Sequence, residues 1–574
     1  MSDPSATTAP AASPDGSAGP DMKLFWACFI ALIATAFGFI IRAFLLDGWG
    51  ETYGFDGTQK GQIFGVGLWP FAISIVLFSL IIDKIGYGKA MVFAFVAHIT
   101  SAAITIALPY IAGPGNEDGS FNAAAYWTLY VANFIVALGN GTIEAVVNPV
   151  VATMFARDKT KWLNILHAGW PGGLVLAGTI TLLMGGASWQ LKVALMFVPV
   201  IAYGVLMLSA KFPVSERVAA GVSYKDMLRE FGMGGALIVS YLMFTEMGNV
   251  LKGMIDGFNG AEPLSDGTST AITIATWVAI AVATIGFGSV VKFAIGRPLF
   301  LLLLLIMIPL ASAELGVDSW ITSLMEKPFE EFGVNSGWIL VYTSIIMMVL
   351  RFFAGPIVHR ISPLGLLAAS AVLAIIGLYA LSATTGVMIL VAATIYAFGK
   401  TFFWPTMLGV TAEQFPRGGA LTLNAAGGVG MLGVGVVGAQ LLGFWVDKGV
   451  AEDFTAEYPT RVEEVISDKP WNFGEYKAIA GDKLTAGEQA FVEETTATEQ
   501  KETLATATVF PIIMLVCYLG LIGYFKSRGG YQAEVITADD GTVQDIVDHT
   551  PADPVPEAVS GEQFTGGVEG PAGS

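Results

Sequence analysis

One acid lies in the middle of an otherwise apolar stretch at residues 126–154. Glu144 is followed, one helical turn later, by Asn148 and Pro149. Residues four apart share a helix face, and a proline removes a backbone donor and can kink the helix. An ionisable group at mid-membrane depth is costly and is therefore a candidate for function. Because a low-dielectric cavity disfavours a charged carboxyl, Glu144 is predicted to take up and release a proton. A carboxyl that is hydrogen-bonded to a neighbouring helix for packing alone is the alternative.

Polar and aromatic side chains in other apolar segments could contact a solute. One segment reads Leu-Asn-Ile-Leu-His followed by Ala-Gly-Trp-Pro, and another reads Lys-Thr-Phe-Phe-Trp-Pro-Thr. Aligning the Asn-Pro step at 148–149 with the Trp-Pro step at 404–405 places Lys400 at the offset of Glu144. Only the proline anchors that alignment, so a chance match stays open, and each of these side chains could instead pack between helices. The residues predicted to bind substrate are Asn148, Asn164, His167, Trp170, Lys400, Trp404 and Asn424.

Four further charged residues lie in apolar segments, and no transport role is assigned to them. Arg42 lies near the end of the first segment, and its long side chain is interpreted as one that reaches the membrane surface. Arg351 lies near the predicted inner end of its segment, where an ion pair with acids of the loops is expected. The other two are Glu246 and Glu314.

The composition is that of a protein surrounded by a bilayer. Of 574 residues, 54% are hydrophobic and 13% are charged, whereas soluble proteins carry about 25% charged residues. The net charge of −18 argues against nucleic-acid binding, which needs a basic face. The two cysteines, Cys28 and Cys517, lie in apolar segments, and no Cys/His set in the sequence has the spacing of a metal site. No metal, no other cofactor and no enzyme activity are predicted.

Fourteen segments are long and apolar enough for spanning helices, which need about 20 residues each. They are read as six, then two, then six. Lys and Arg gather in alternate short loops, which places those loops and both termini in the cytoplasm of a cell-membrane protein. The segments lie near 23–46, 60–82, 88–110, 126–154, 163–186, 189–210, 231–251, 269–292, 297–316, 335–359, 363–383, 386–411, 420–445 and 505–526.

The predicted fold is an all-α polytopic membrane protein with two six-helix bundles, related by a pseudo-two-fold axis, and an inserted two-helix hairpin. Both tails are poor in large apolar residues and are predicted to be disordered. The predicted division is a tail at 1–21, a bundle at 22–210, a linker and inserted hairpin at 211–292, a bundle with an external loop (448–504) at 293–529, and an acidic tail at 530–574.

Two short loops at equivalent places in the two halves resemble each other. The first reads Asp-Lys-Ile-Gly-Tyr-Gly-Lys at 83–89, and the second reads His-Arg-Ile-Ser-Pro-Leu-Gly at 359–365. The glycines suit a tight turn, and the acid can cap a helix or pair with a neighbouring base. The first loop resembles the loop motif of the major facilitator superfamily, although Ser79 stands where that family has a glycine. The motif residues are Asp83, Lys84, Gly86, Lys89 and Arg360.

This resemblance covers roughly 23–210 and 297–526. Within the superfamily, the Glu, Asn-Pro and Leu-Asn-x-Leu-His elements and the aromatic-Pro-Thr step resemble the fucose–proton symporter group and its glucose and galactose relatives. The resemblance implies that Glu144 couples transport to protons. It also implies an essential acid in the first helix, where Asp47 is the nearest one, close to the outer boundary. The Gly-Trp-Pro step at 169–171 differs from the aromatic-glycine step of that group.

Together these features predict a secondary transporter that carries a sugar or related small polar solute with a proton, by alternating access. H⁺ is favoured over Na⁺ as the coupling ion, and a monomer is expected. A lysine in the site leaves an acidic sugar or another organic anion open as substrate. Two other functions also stay open. One is a receptor or sensor on the same scaffold, which the long loop at 448–504 favours. The other is an exporter of organic anions or drugs.

Overall fold

The computed structural model describes residues 20–115, 120–258, 264–318, 335 and 337–536. The rest of the predicted tails, 1–19 and 537–574, lies outside the described residues. The first half of the chain contains α1 (Met22–Tyr53), α2 (Gly57–Gly65), α3 (Trp69–Ile85), α4 (Tyr87–Ile106), α5 (Leu108–Ala112), α6 (Ala123–Met154), α7 (Lys159–His167), α8 (Gly169–Leu183), α9 (Trp189–Ala194) and α10 (Phe197–Met207). A short α11 (Glu216–Ala219) and the pair α12 (Tyr224–Phe258) and α13 (Asp266–Val290) follow.

The second half continues with helices and one small hairpin. Its helices are α14 (Pro298–Ala311), α15 (Gly337–Phe352), α16 (Ala354–Ile361), α17 (Pro363–Ala383), α18 (Met388–Lys400), α19 (Phe403–Gln414), α20 (Gly419–Gly433), α21 (Ala439–Glu457), α22 (Val462–Val465), α23 (Ala486–Thr506) and α24 (Val509–Lys526). The strands β1 (Ile466–Trp471) and β2 (Gly474–Ile479) pair antiparallel. Short π-helical turns at Ser312–Gly316 and Val434–Gly438 extend α14 and α20, and short 3₁₀ turns occupy Pro416–Gly418 and Gly481–Lys483.

The spans match the six-two-six division. Among the described residues, thirteen helices are long and apolar enough to cross a membrane, and α15 with α16 makes a fourteenth span bent by 60°. Six of these precede the pair α12 and α13, and six follow it. The predicted all-α fold of about fourteen spans is confirmed, and the chain is a multi-pass membrane protein.

The two loops predicted to be repeats share a backbone shape. Gly86, between α3 and α4, has a φ of 84°, and Ser362, between α16 and α17, has a φ of 64°. Positive φ values cost glycine little but strain a residue with a side chain. The same turn therefore recurs in the second half even though serine replaces glycine, which supports an internal repeat.

In the first of these loops, the acid pairs with a base, as one of the two readings of the motif predicted. Arg217 Nη2 donates to Asp83 Oδ2 at 2.5 Å, and Ser215 Oγ donates to the other carboxylate oxygen at 3.3 Å. The Lys84 ammonium lies 4.9 Å from the centre of the Tyr224 ring. The loop is thus fixed to the segment that links the first half to α12. Lys89 and Arg360 are exposed.

The most extensive contacts between the halves are in three helix pairs: α3 packs on α20, α7 on α19 and α8 on α15. Small residues allow close approach of helices in membranes.

Within the first half, α6 also lies close to α3. At Gly141 of α6, a Cβ atom would overlap the carbonyl oxygen of Phe71 in α3. The helix that carries Glu144 is therefore held tightly against α3.

The inserted helices and the long loop lie together. α13 packs on α12, and α12 packs on α20 and α14 of the second half. The residues at 448–504 fold as the end of α21, the short α22, the β-hairpin, a 3₁₀ turn and most of α23. At the hairpin tip, Asn472 donates to the Val436 carbonyl oxygen at 2.8 Å and accepts from Asn249 of α12 at 2.9 Å. The hairpin is thereby joined both to α12 and to the π-helical turn of the second half.

The membrane orientation gives a prediction for labelling. We expect the loop with Arg360 to be cytoplasmic and the hairpin with Lys477 to be external, because basic residues concentrate on the inner side. Both side chains are exposed. Single-cysteine variants Arg360→Cys and Lys477→Cys, with Cys28 and Cys517 replaced by Ala, would be treated with an impermeant maleimide on intact cells. Only Lys477→Cys should react, and Arg360→Cys should react after permeabilisation; the reverse pattern would refute the orientation.

Candidate functional site

Glu144 lies in a buried polar group that the first half provides. Its side chain is 8% exposed and belongs to α6. Asn148, one turn further on, donates from Nδ2 to Glu144 Oε2 at 2.6 Å. The Oδ1 atom of Asn148 lies 3.0 Å from His167 Nε2, and that nitrogen is 3.9 Å from Glu144 Oε2. Three of the residues predicted from sequence therefore lie in contact.

Arg351 of α15 joins this group to the second half. Its Nη1 donates to the His167 carbonyl oxygen at 2.8 Å, and its Nε donates to the Thr401 carbonyl oxygen at 2.8 Å. Its Nη2 donates to Glu314 Oε1 at 3.1 Å. The expected partner of Arg351, an acid of the loops, was wrong: the partner lies within the spans. Burying two charges is costly unless they are paired and hydrogen-bonded, and each side chain here is at most 5% exposed.

The acid of this pair lies in an unusual turn. Glu314 belongs to the π-helical turn that follows α14, and such turns are frequent at functional sites. Its second oxygen, Oε2, is buried without a hydrogen-bond partner. A buried acceptor without a partner is costly, so Glu314 Oε2 retains the capacity to accept a further hydrogen bond.

Lys400 also has an acid of the second half as its partner. Its ammonium group forms an ion pair with Asp318, and it lies 5.3 Å from the centre of the Tyr396 ring. Lys400 is 1% exposed. Of these two buried cations, Arg351 is the one that reaches the first half, whereas Lys400 was predicted to face Glu144. The alignment by the proline step could not reveal Asp318, which is far away in sequence.

Two more predicted substrate residues bond across the halves. Asn164 of α7 donates to Thr406 Oγ1 of α19 at 3.1 Å. Asn424 of α20 donates to Ser79 Oγ at 2.9 Å and to the Ala145 carbonyl oxygen at 3.1 Å. Both asparagines are fully buried. In this conformation, Asn164 joins α7 to α19, and Asn424 joins α20 to α3 and α6.

The remaining predicted residues are Trp170, Trp404 and Asp47. Trp170 is partly buried, with its ring centre 5.7 Å from that of Phe39. Trp404 is 8% exposed and packs on α20, where a Cβ at Gly430 would lie 2.8 Å from its ring. Asp47 is 82% exposed and pairs with Lys60 at 2.7 Å. The structure does not bring Asp47 to the buried group around Glu144.

The halves are also joined on the predicted cytoplasmic side. Glu413 Oε1 accepts from Thr160 N at 3.0 Å and from Thr160 Oγ1 at 2.6 Å. Glu413 Oε2 accepts from Tyr531 at 2.7 Å, and Arg297 donates to Glu534 at 2.6 Å. Residues 531–536, which belong to the tail predicted to be disordered, thus make specific contacts with the second half. An aromatic ring and a carboxylate find specific partners there.

Comparison with known families assigns the chain. The model of the Major Facilitator Superfamily matches residues 27–325, more than half of the 574 residues. The chain belongs to the major facilitator superfamily. The resemblance of the loop motif to this superfamily is thereby confirmed. No curated protein matches the chain significantly.

Solved structures of the superfamily share the fold at low sequence identity. The E. coli proton:xylose symporter XylE, bound to 6-bromo-6-deoxy-D-glucose, is 11% identical, with a TM-score of 0.54 over 88% of this chain and 95% of that chain. The human organic anion transporter MFSD10 (TETRAN) is 12% identical, with a TM-score of 0.52 over 87% and 100%. The E. coli fucose:proton symporter FucP is 13% identical, with a TM-score of 0.50 over 86% and 98%.

The structure also adds residues that the sequence did not place in the site. Arg351 and Glu314 were noticed only as charges within apolar segments, and Asp318 and Tyr396 were not considered. The rule that an intramembrane charge needs a partner could have suggested an ion pair for Arg351. It could not have chosen the partner, because sequence periodicity does not tell which helix faces meet in the folded protein.

Proposed function

We propose that this member of the superfamily is a proton-coupled symporter of a small polar solute, a sugar or a related compound, that works by alternating access. The observation that carries the proposal is the surroundings of Glu144. This carboxyl is buried, and its hydrogen-bond donor is the neutral amide of Asn148. Among the described residues of the second half, the buried cations Arg351 and Lys400 already pair with carboxylates. Glu144 thus lacks a full counter-charge, and a proton would supply it.

The position of Glu144 supports a link between the proton and the solute. Asn148 contacts both Glu144 and His167, and Arg351 contacts the backbone of His167 from the second half. A solute between the halves would meet this chain of contacts. Protonation of Glu144 would weaken the hydrogen bond from the Asn148 amide to this carboxyl. It would thereby change the hydrogen bonds that the amide can make with the solute.

Alternating access is supported by the contacts between the halves. Glu413 holds Thr160 on the predicted cytoplasmic side, and Asn424 and Asn164 hold α20 to α3 and α7 to α19. These are a small number of polar contacts, which rocking of one half against the other can break and re-form. Small residues in α20, such as Gly427 and Gly430, lie against the Trp404 ring and allow such movement.

The test is transport by the purified protein in liposomes. We expect an inward proton gradient to drive accumulation of a sugar or sugar acid, and unlabelled solute inside the vesicles to drive counterflow of labelled solute. A receptor or sensor on this scaffold would bind solute but show neither. An exporter would accumulate solute only when the protons move in the opposite direction.

A further inference from the structure

Another buried cation, Arg42, lies in the first half, away from the ion pairs of the second half. Arg42 of α1 is 7% exposed and donates from Nη2 to Ser101 Oγ at 2.5 Å. Its Nε atom is buried without a hydrogen-bond partner. Arg351 and Lys400 each have a carboxylate, whereas the structure gives Arg42 none among the described residues. A buried charge without a counter-charge is costly, so a bound anion beside this guanidinium would offset that cost.

Arg42 lines a cavity of about 40 Å³ within the first half. A single water needs about 10–15 Å³ by the same measure, so the cavity has room for a small anionic group. Its described lining residues include no Asp or Glu. Trp49 adds an indole N–H that is buried without a partner. The side-chain oxygen of Asn140 lies 2.8 Å from His98 Nε2, within hydrogen-bond distance. The amide N–H groups of Asn140 are therefore left as donors.

The cavity and Glu144 lie on the same helix face. Asn140 lines the cavity and precedes Glu144 by one turn of α6. A solute with its anionic group at Arg42 would therefore extend towards Glu144. Arginine's planar fork matches a carboxylate with two parallel hydrogen bonds.

We propose that the cavity at Arg42 binds the carboxylate of the transported solute, which is a monoanionic sugar acid or a similar hydroxy acid. This inference rests on the proposed proton symport. Among the described buried residues of the first half, one cation, Arg42, and one acid, Glu144, lack a full counter-charge. A carboxylate would neutralise Arg42, and a proton would neutralise Glu144. The loaded protein would then carry one anion and one proton together, so that no net charge crosses the membrane with them.

The experiment compares acids with their neutral counterparts in proteoliposomes. D-gluconate, D-glucuronate and D-galacturonate would be tested beside D-glucose, D-galactose, D-xylose and L-fucose, by thermal stabilisation and by uptake. At least one acid should bind roughly tenfold or more tightly than the neutral sugars, as one charge-assisted contact allows. A pH gradient should drive its accumulation, and an inside-negative potential set with K⁺ and valinomycin should leave the accumulation unchanged.

Variants locate the carboxylate. Arg42→Gln should weaken binding of the acid by roughly tenfold or more. Should that variant fold poorly, Gly38→Val keeps the cation and narrows the cavity, since a Cβ at Gly38 would lie 3.8 Å from Arg42 Nη1; it should also weaken acid binding. Lys60→Gln is the control, because Lys60 pairs with Asp47 near the surface, and it should bind the acid as the wild type does.

Three outcomes would overturn the inference. The first is binding of none of the acids. The second is wild-type acid binding by both Arg42→Gln and Gly38→Val. The third is proton-driven uptake of a neutral sugar that an inside-negative potential increases, which would leave proton symport standing while removing the carboxylate site. By contrast, an acid that binds at Arg42 but shows no pH-driven uptake would refute the proposed symport and, with it, the paired movement of anion and proton.

Discussion

Replacing Glu144 with Gln is expected to abolish pH-driven accumulation of solute while binding and exchange persist. Glutamine has the shape of the protonated acid and can still contact Asn148, so the site should keep its geometry. It cannot release a proton, so the solute should only equilibrate across the membrane. The measurement pairs gradient-driven uptake with equilibrium exchange in the same proteoliposomes.

The matched control is another carboxyl within the spans. Glu246 belongs to the inserted helix α12, where it lies beside Gly435 of the second half, with a Cβ at Gly435 3.2 Å from its Oε2. Glu246→Gln should accumulate solute as the wild type does. If Glu144→Gln still accumulates solute at wild-type levels, Glu144 does not couple transport to protons. Its role would then be the packing hydrogen bond to Asn148.

Replacing Arg351 with Met is expected to lower the stability of the folded protein strongly. Arg351→Met leaves Glu314 buried without its partner, and breaking a buried pair in this way costs about 3–5 kcal/mol. The variant also loses the hydrogen bonds from Arg351 to the carbonyl oxygens of His167 and Thr401. We expect a lower thermal midpoint in detergent and a lower yield of folded protein.

A second variant separates the cost of leaving Glu314 unpaired from the cost of losing the other hydrogen bonds of Arg351. Arg351→Met combined with Glu314→Gln removes both charges, so it should recover much of the lost stability without restoring transport. The control is Lys60→Met, which breaks the exposed pair with Asp47; such pairs contribute at most about 1 kcal/mol. Equal losses for the single and double variants would show that the buried charge of Glu314 is not the cause.

The contacts of residues 531–536 mark a limit of prediction from composition. The segment after α24 is polar and was predicted to be disordered with the rest of the tail. In the structure, Tyr531 bonds to Glu413, and Ile536 is 3% exposed beside Ala220 and Val222. Composition is an average over many residues. It therefore cannot detect a few residues that have specific partners elsewhere in the fold.

The sequence by itself determined the class of protein, the number of spans and their division into six, two and six. Hydrophobic length alone specifies a spanning helix, because the bilayer leaves the backbone no other partner. The sequence also singled out Glu144 and Asn148, since residues four apart must share a helix face. These are local properties, and the structure retains them.

Only the tertiary structure decided which charges are neighbours. Lys400 was aligned with Glu144, yet its partner is Asp318, and Arg351 instead reaches the first half. Helix periodicity tells which residues share a face but not which helix that face meets. Partners such as Arg351 and Glu314 come from segments separated in the chain, and packing alone brings them together. For the same reason, the sequence could not show that Arg42 lies at a cavity whose described lining residues include no acid.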